Sequence, residues 1–194
     1  APVTFGAPWA RGTLKKGTDL ALTACDGTSV AAQTKNTAYW PDGTIKWTAH
    51  SAVLDTGQNY ILSKGALKKP DDESNITGVQ DDDGAILIKS DVLECKIEKG
   101  GKLITSLARG SMKPMEARLV PMIETVDEHE DYTSKMISRF LGETRHTVLE
   151  ESGPLRVVVK LEGVHIGSIG GTKSKKDSRE VFPFQVRLYF YAGS

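Results

Sequence analysis

Apolar and polar residues alternate two by two along much of this chain, the pattern of half-buried β-strands. In one nine-residue run, Ile45, Trp47, Ala49, Ser51 and Val53 share a face, opposite Lys46, Thr48, His50 and Ala52. Leu93, Cys95 and Ile97 alternate with Glu94, Lys96 and Glu98, and a Gly100-Gly101 turn lets Leu103 to Leu107 return as a hairpin partner. Leu155, Val157, Val159 and Leu161 oppose Arg156, Val158, Lys160 and Glu162. Phe184, Val186, Leu188 and Phe190 oppose Gln185, Arg187, Tyr189 and Tyr191. Bulk on both faces predicts that Val181 to Tyr191 is a central strand, with one face in a core and the other toward a partner or ligand.

Weaker segments fill the gaps. Leu20 and Leu22, Val30 to Gln33, Asn59 to Leu62 and Arg145 to Glu150 read as short strands. Tyr39-Trp40-Pro41-Asp42-Gly43 is a turn, because proline presets its second position and Asp and Gly suit the next two. Pro121 makes Glu116 to Val126 an edge strand or a broken one. Tyr132, Met136 and Phe140 are four apart, a spacing that suggests one or two helical turns. Lys64 to Asp83 holds many charges and few apolar residues, and reads as a connector between two domains.

Composition narrows the function classes. The 194 residues suffice for one good-sized domain or two small β domains. Lys plus Arg and Asp plus Glu both total 25, so no net charge draws nucleic acid. No run of about 20 apolar residues exists to span a membrane. A chain that begins at Ala1 without a basic leader is either cytoplasmic or the mature product of a removed signal. Cys25 and Cys95 are expected as buried thiols, with a disulfide as the alternative. Two cysteines and four scattered histidines are too few for a soft-metal site. Asp81, Asp82 and Asp83 are the one candidate for a hard cation such as Ca²⁺, but their spacing does not match a calcium loop, and a solvated turn is expected.

No phosphate-cradling loop or nucleophile elbow is present. The densest chemistry is an N-terminal set: Trp9, Arg11, Tyr39, Trp40, Asp42, Lys46, Trp47 and His50. Aromatic faces stack on the C–H faces of sugars, and the charged groups pair with hydroxyls and carboxylates. Trp9, Arg11, Trp40 and Lys46 are therefore the candidate substrate-binding residues. Trp47, on the apolar face of its strand, is expected in the core. Trp40 is expected to lock its turn, and Trp9 is the best-placed exposed ring. His50 is expected as a surface or hydrogen-bonded histidine, with a general base as the alternative. Arg145 and His146 form a second catalytic candidate pair. With His165, Arg187, Tyr189 and Tyr191 nearby in type, they offer the cation and base that proton abstraction beside a carboxylate requires.

Three stretches carry a resemblance together: FGAPWARGTLKK from Phe5, AYWPDGTIKWTAH from Ala38, and the pair SGPLRVVVKLEGVH and FPFQVRLYFYAG from Ser152 and Phe182. In combination they resemble the exo-rhamnogalacturonan lyase-like and YetA-like proteins. The resemblance implies an all-β chain: a small swapped-hairpin (RIFT-type) barrel at 1–70, a polar linker at 71–84, and the first part of a β-sandwich at 85–194. It implies further a C-terminal α/α toroid that these residues do not include, so that the chain stops in the middle of a fold. Cleavage of an acidic, rhamnogalacturonan-like polysaccharide by β-elimination would follow, by a secreted or periplasmic parent whose signal is removed. The parent could use Ca²⁺, with no cofactor held in this chain. The fragment alone is expected to be inactive, with the rest of the parent or a second chain packed on Val181 to Tyr191. The alternative is a non-catalytic carbohydrate-binding or structural β module. The family's catalytic residues are not carried over to any position.

Overall fold

The computed structural model describes residues 1–69, 75–128, 133–168 and 178–193. Part of the expected linker (71–74), part of the acidic loop after Asp127, Tyr132 of the expected helix and most of the Gly-, Lys- and Ser-rich loop at 169–177 lie outside the described residues. Every element is a strand: β1 (Pro2–Pro8), β2 (Leu20–Ala24), β3 (Ser29–Val30), β4 (Ala32–Tyr39), β5 (Ile45–Val53), β6 (Tyr60–Lys64), β7 (Thr77–Gln80), β8 (Ile86–Lys89), β9 (Leu93–Ile97), β10 (Ile104–Arg109), β11 (Met115–Ala117), β12 (Met122–Glu128), β13 (Thr133–Arg139), β14 (Leu141–Ser152), β15 (Arg156–Gly167) and β16 (Arg179–Tyr191). The chain divides into two compact units: Ala1–Thr77 with Ser152–Val157 and Phe190–Ser194, and Gly78–Glu151 with Val158–Tyr189.

The first unit has two three-stranded sheets, ordered β1-β5-β4 and β3-β2-β6. Leu22, Ala32 and Ala52 pack with Phe5, Val30, Tyr60 and Leu62. Leu14, Leu20 and Ile45 pack with Trp9 and Leu62. Each fully buried leucine or isoleucine contributes roughly 1.5–3 kcal/mol by leaving water. Ser152–Val157 is joined to β4 by a side chain acting as backbone: Gln33 Oε1 accepts from Leu155 N at 3.0 Å and Arg156 N at 2.8 Å, and its Nε2 donates to Arg156 O at 3.1 Å.

β5 does not bury the face that simple alternation predicts. Thr48, His50 and Ala52 are inside, while Trp47 is 41% and Val53 46% exposed. The register explains the reversal. Trp47 pairs with Ala38 and Ile45 with Tyr39, so Lys46 is an extra residue; Thr37 is an extra residue on β4. This paired irregularity lets Ile45 and Thr48, three apart, both point inward, and it turns Trp47 out of the core.

The second unit holds a five-stranded sheet ordered β11-β10-β9-β8-β7, the ribbon β12-β13, and most of a three-stranded sheet ordered β14-β15-β16. Ile86, Ile88, Cys95, Ile97, Val159 and Leu161 are fully buried. Thr147 donates to Gly84 O, while Gln80 donates to Thr147 O at 2.7 Å and accepts from Leu149 N at 3.0 Å. Two expectations are corrected. Met136 lies on strand β13 rather than a helix, with Lys135 and Met136 paired to Val126 and Thr125. Val181–Tyr191 is not central: β15 is the middle strand and β16 the edge of its described sheet. Pro183, which has no N–H to give a ladder, suits that edge position. Both cysteines are free; Cys25 is exposed, and burial pushes the Cys95 thiol up to about 12.

Candidate functional site

The β4–β5 turn and the segment after β1 assemble the four candidate binding residues. The Asp42-Gly43-Thr44 corner closes by short-range bonds: Asp42 Oδ1 accepts from Thr44 N at 3.0 Å and Thr44 Oγ1 at 2.6 Å, and Gly43 takes φ +80°. Gly12 N donates to Thr44 Oγ1 at 3.1 Å, tying the two loops together. With one oxygen occupied, Asp42 uses the other to accept from Arg11 Nε at 2.8 Å. These bonds, Thr44 first and Arg11 next, hold the Asp42 carboxyl down at about 2.

This contact uses only the Nε of Arg11. The two terminal nitrogens make no hydrogen bond among the described residues, and the side chain is 63% exposed. The guanidinium is thus tethered at its base with its outer edge facing water. That edge is the one that pairs side by side with a carboxylate. Lys46 places its ammonium 4.6 Å from the Trp40 ring centroid, a cation–π contact. The cluster therefore carries two cations to one carboxylate beside a partly exposed indole.

Behind the surface runs a chain of hydrogen bonds. Trp40 Nε1 donates to Trp9 O at 3.0 Å, and Trp9 Nε1 donates to Thr48 Oγ1 at 2.9 Å. Thr48 Oγ1 lies 2.7 Å from His50 Nε2, and His50 Nδ1 lies 3.0 Å from Thr34 Oγ1. His50 is fully buried and stacks on Phe5 with centroids 5.1 Å apart. Burial pushes its pKa below the usual histidine value.

The other candidates lie elsewhere. Arg145 and His146 are adjacent and exposed on β14, in the second unit. Arg145 gives both terminal nitrogens to Glu180, one of them at 3.3 Å, with Glu143 3.8 Å from its Nε. Arg187 gives Nε and Nη2 to Glu150 at 2.7 and 3.0 Å, and Nη1 to Gln185 at 3.1 Å. Hydrogen bonds from Gln185, at 2.6 Å, and from Lys160 hold the Glu162 carboxyl below its usual value. Asp81 Oδ1 caps its own turn by accepting from Ala85 N at 2.8 Å. Among the described residues no three His, Cys, Asp or Glu side chains are grouped to hold a metal. His165 donates through Nδ1 to Phe182 O at 3.0 Å, inside the second unit. Alternation alone could not find Thr48, which holds Trp9, since it gives no sign of the paired irregularity. The Asp-Gly-Thr spacing was the available signal for Thr44.

Comparisons with known proteins now bear on this arrangement. Residues 1–66 match the family of PcRGLX-like N-terminal RIFT barrel domains, and residues 77–194 match the PcRGLX-like central β-sandwich domain. The chain belongs to the PcRGLX-like family. The expected resemblance and the all-β barrel-plus-sandwich class are thereby borne out, with sheets that are not closed. A curated relative, the "Uncharacterized protein YetA" of Bacillus subtilis (strain 168), is 35% identical over 195 residues, covering 98% of this chain and 22% of that protein. The chain thus spans about a fifth of that relative's length. A solved α-mannosidase from Enterococcus faecalis V583 shares the fold at TM-score 0.52 and 11% identity, over 100% of this chain and 27% of that one. No helix among the described residues is long and apolar enough to cross a membrane. The family points to a carbohydrate-active protein.

Proposed function

We propose that this PcRGLX-like chain is the glycan-gripping portion of a polysaccharide lyase that acts on an acidic, rhamnogalacturonan-like polymer. The observation that carries the reading is Arg11, tethered through Nε to Asp42 in the turn that also carries the Lys46–Trp40 contact, with its outer edge open. A uronate carboxylate fits that edge, and the sugar ring fits the indole. In β-elimination a base takes the proton beside the carboxylate, its electron pair becomes the new C=C bond, and the glycosidic oxygen leaves. That chemistry belongs to the full-length parent. In this chain His50 is buried and Arg145 is closed on Glu180, so these candidates support binding or folding rather than the chemical step. An extracellular or periplasmic site of action follows from the polymeric substrate.

The test is a titration of the chain with oligogalacturonate, rhamnogalacturonan oligosaccharides and a neutral galactan. Saturable binding of the acidic glycans, weakened by salt, is expected, with none to the galactan. Failure to bind any acidic glycan would remove the gripping role. A full-length protein that releases no unsaturated, ultraviolet-absorbing ends from such polymers would remove the lyase assignment.

A further inference from the structure

His50 takes no part in gripping sugar directly, yet its whole ring is engaged. Both ring nitrogens face threonine hydroxyls, at 2.7 and 3.0 Å, and the ring stacks on Phe5. A buried imidazole of this kind has no solvent contact through which to act. Of its two threonine partners, Thr48 is the one bonded onward to the indoles. Thr48 is itself 1% exposed and is the acceptor for the Trp9 indole, whose backbone oxygen is the acceptor for the Trp40 indole. Trp9 N also donates to Lys46 O at 2.9 Å, so the strand carrying the cation and the loop carrying the indole are held by the same residue.

We infer that His50 is a positioning residue: through Thr48 and Trp9 it sets the placement of the Trp40–Lys46 platform that the proposed glycan site uses. The inference rests on that proposed site for its effect on binding, but the relay itself does not. In this relay Thr48 Oγ1 accepts from Trp9 and gives its own proton to His50 Nε2 at 2.7 Å, the shorter contact, Ala7 O lying at 3.5 Å. His50 Nδ1–H then donates to Thr34. Protonating Nε2 reverses the Thr48 bond and sends the Thr48 hydroxyl to the distant Ala7 carbonyl.

Among the described residues, the groups in contact with the ring carry no charge to offset that proton. β1 contributes Phe5, β4 contributes Thr34, and β5 contributes Thr48. Lys35 pairs with Ala49 on the other face of the sheet, and Lys46 lies over Trp40. In the opposing sheet Leu20, Leu22, Leu62 and Tyr60 join the clusters of Ile45, Ala32 and Ala52, and the Tyr60 hydroxyl is bound to the backbone of Asp55. The burial that lowers the His50 pKa is its only cause of shift, in keeping with this list.

The experiment follows the Trp9 and Trp40 indole N–H signals and the His50 ring signals by NMR across pH 4–8 in the ligand-free chain, then repeats the oligogalacturonate titration over the same range. Both indole signals are expected to move with the His50 midpoint, below 6.5. Affinity should fall about tenfold across that midpoint, beyond the change set by the glycan's own carboxyls. Thr48→Val should uncouple the indoles from His50, and Thr48→Ser should restore the coupling. Indoles that ignore the His50 titration, or that follow it unchanged in Thr48→Val, would overturn the inference. Coupled indoles in a chain that binds no glycan would keep the relay and remove the binding site. Binding with a pH profile unaltered in Thr48→Val would overturn the link between the two.

Discussion

Arg11 in the first unit and Arg145 and Arg187 in the second are all exposed, and they are held in opposite ways. In the first, Asp42 takes only the Nε of Arg11 and leaves the terminal pair outward. In the second, Glu180 takes both terminal nitrogens of Arg145, and Glu150 with Gln185 uses all three nitrogens of Arg187. Residue type is alike in the two places, and all three side chains are exposed; availability is not alike. A carboxylate at Nε orients a guanidinium for a ligand, whereas one across the terminal fork consumes it. A cation count therefore says little about where an acidic glycan can be gripped until each nitrogen is accounted for.

The largest expected effect concerns the support beneath the closed arginines. A Cβ at Gly163 would lie 2.1 Å from Glu143 O and 2.5 Å from the Phe184 ring, so Gly163→Ala should destabilise the second unit by about 3 kcal/mol or more. At Gly6 an added Cβ meets the Trp47 ring at 3.4 Å and Thr48 O at 3.8 Å, ordinary contacts, and Gly6→Ala should be within about 1 kcal/mol of neutral. Thermal unfolding of the two variants compares them, and equal losses would show that the regions are packed alike. Next comes Thr48→Val, which strands the Trp9 donor and a His50 nitrogen in the core and should cost about 1–3 kcal/mol by denaturant titration.

Binding effects are smaller and separate the units more sharply. Lys46→Gln should weaken oligogalacturonate binding only severalfold, since an exposed cation near an indole contributes about 0.5–1 kcal/mol. Acid should act through His50 before Asp42. His50 has a lowered folded pKa, so its contribution to stability is full above about 6.5 and is lost as pH falls toward the folded value. Asp42, also lowered, keeps its contribution until pH falls from 3.8 toward about 2. Stability followed from pH 8 to 2 should therefore show a first decline below 6.5 and a separate one below 4. A first unit unchanged between pH 7 and 5 would contradict the assignment to His50.

Much of this was legible in the sequence where alternation was clean. β9, β15 and the phase of β16 follow directly from their periodicity, and the Pro41-Asp42-Gly43 turn from its residue types. The paired extra residues Thr37 and Lys46 were not legible, because a strand irregularity leaves no mark in a two-residue repeat, and so Trp47 was placed inside. The edge position of β16 was readable from Pro183 but was masked by the bulk on its other positions. Grouping Trp9, Arg11, Trp40 and Lys46 needed only the conjunction of two loops. Which nitrogen of Arg11 stays open needed coordinates.

One measurement bears most directly on the contrast between the arginines: oligogalacturonate affinity of the native chain, Arg11→Gln and Arg187→Gln, at one pH and salt concentration. A charge-assisted contact contributes about 1.5–3 kcal/mol, so Arg11→Gln should lose tenfold or more while Arg187→Gln binds as the native chain does. Loss in Arg187→Gln with Arg11→Gln unaffected would contradict the account and move the site to the second unit.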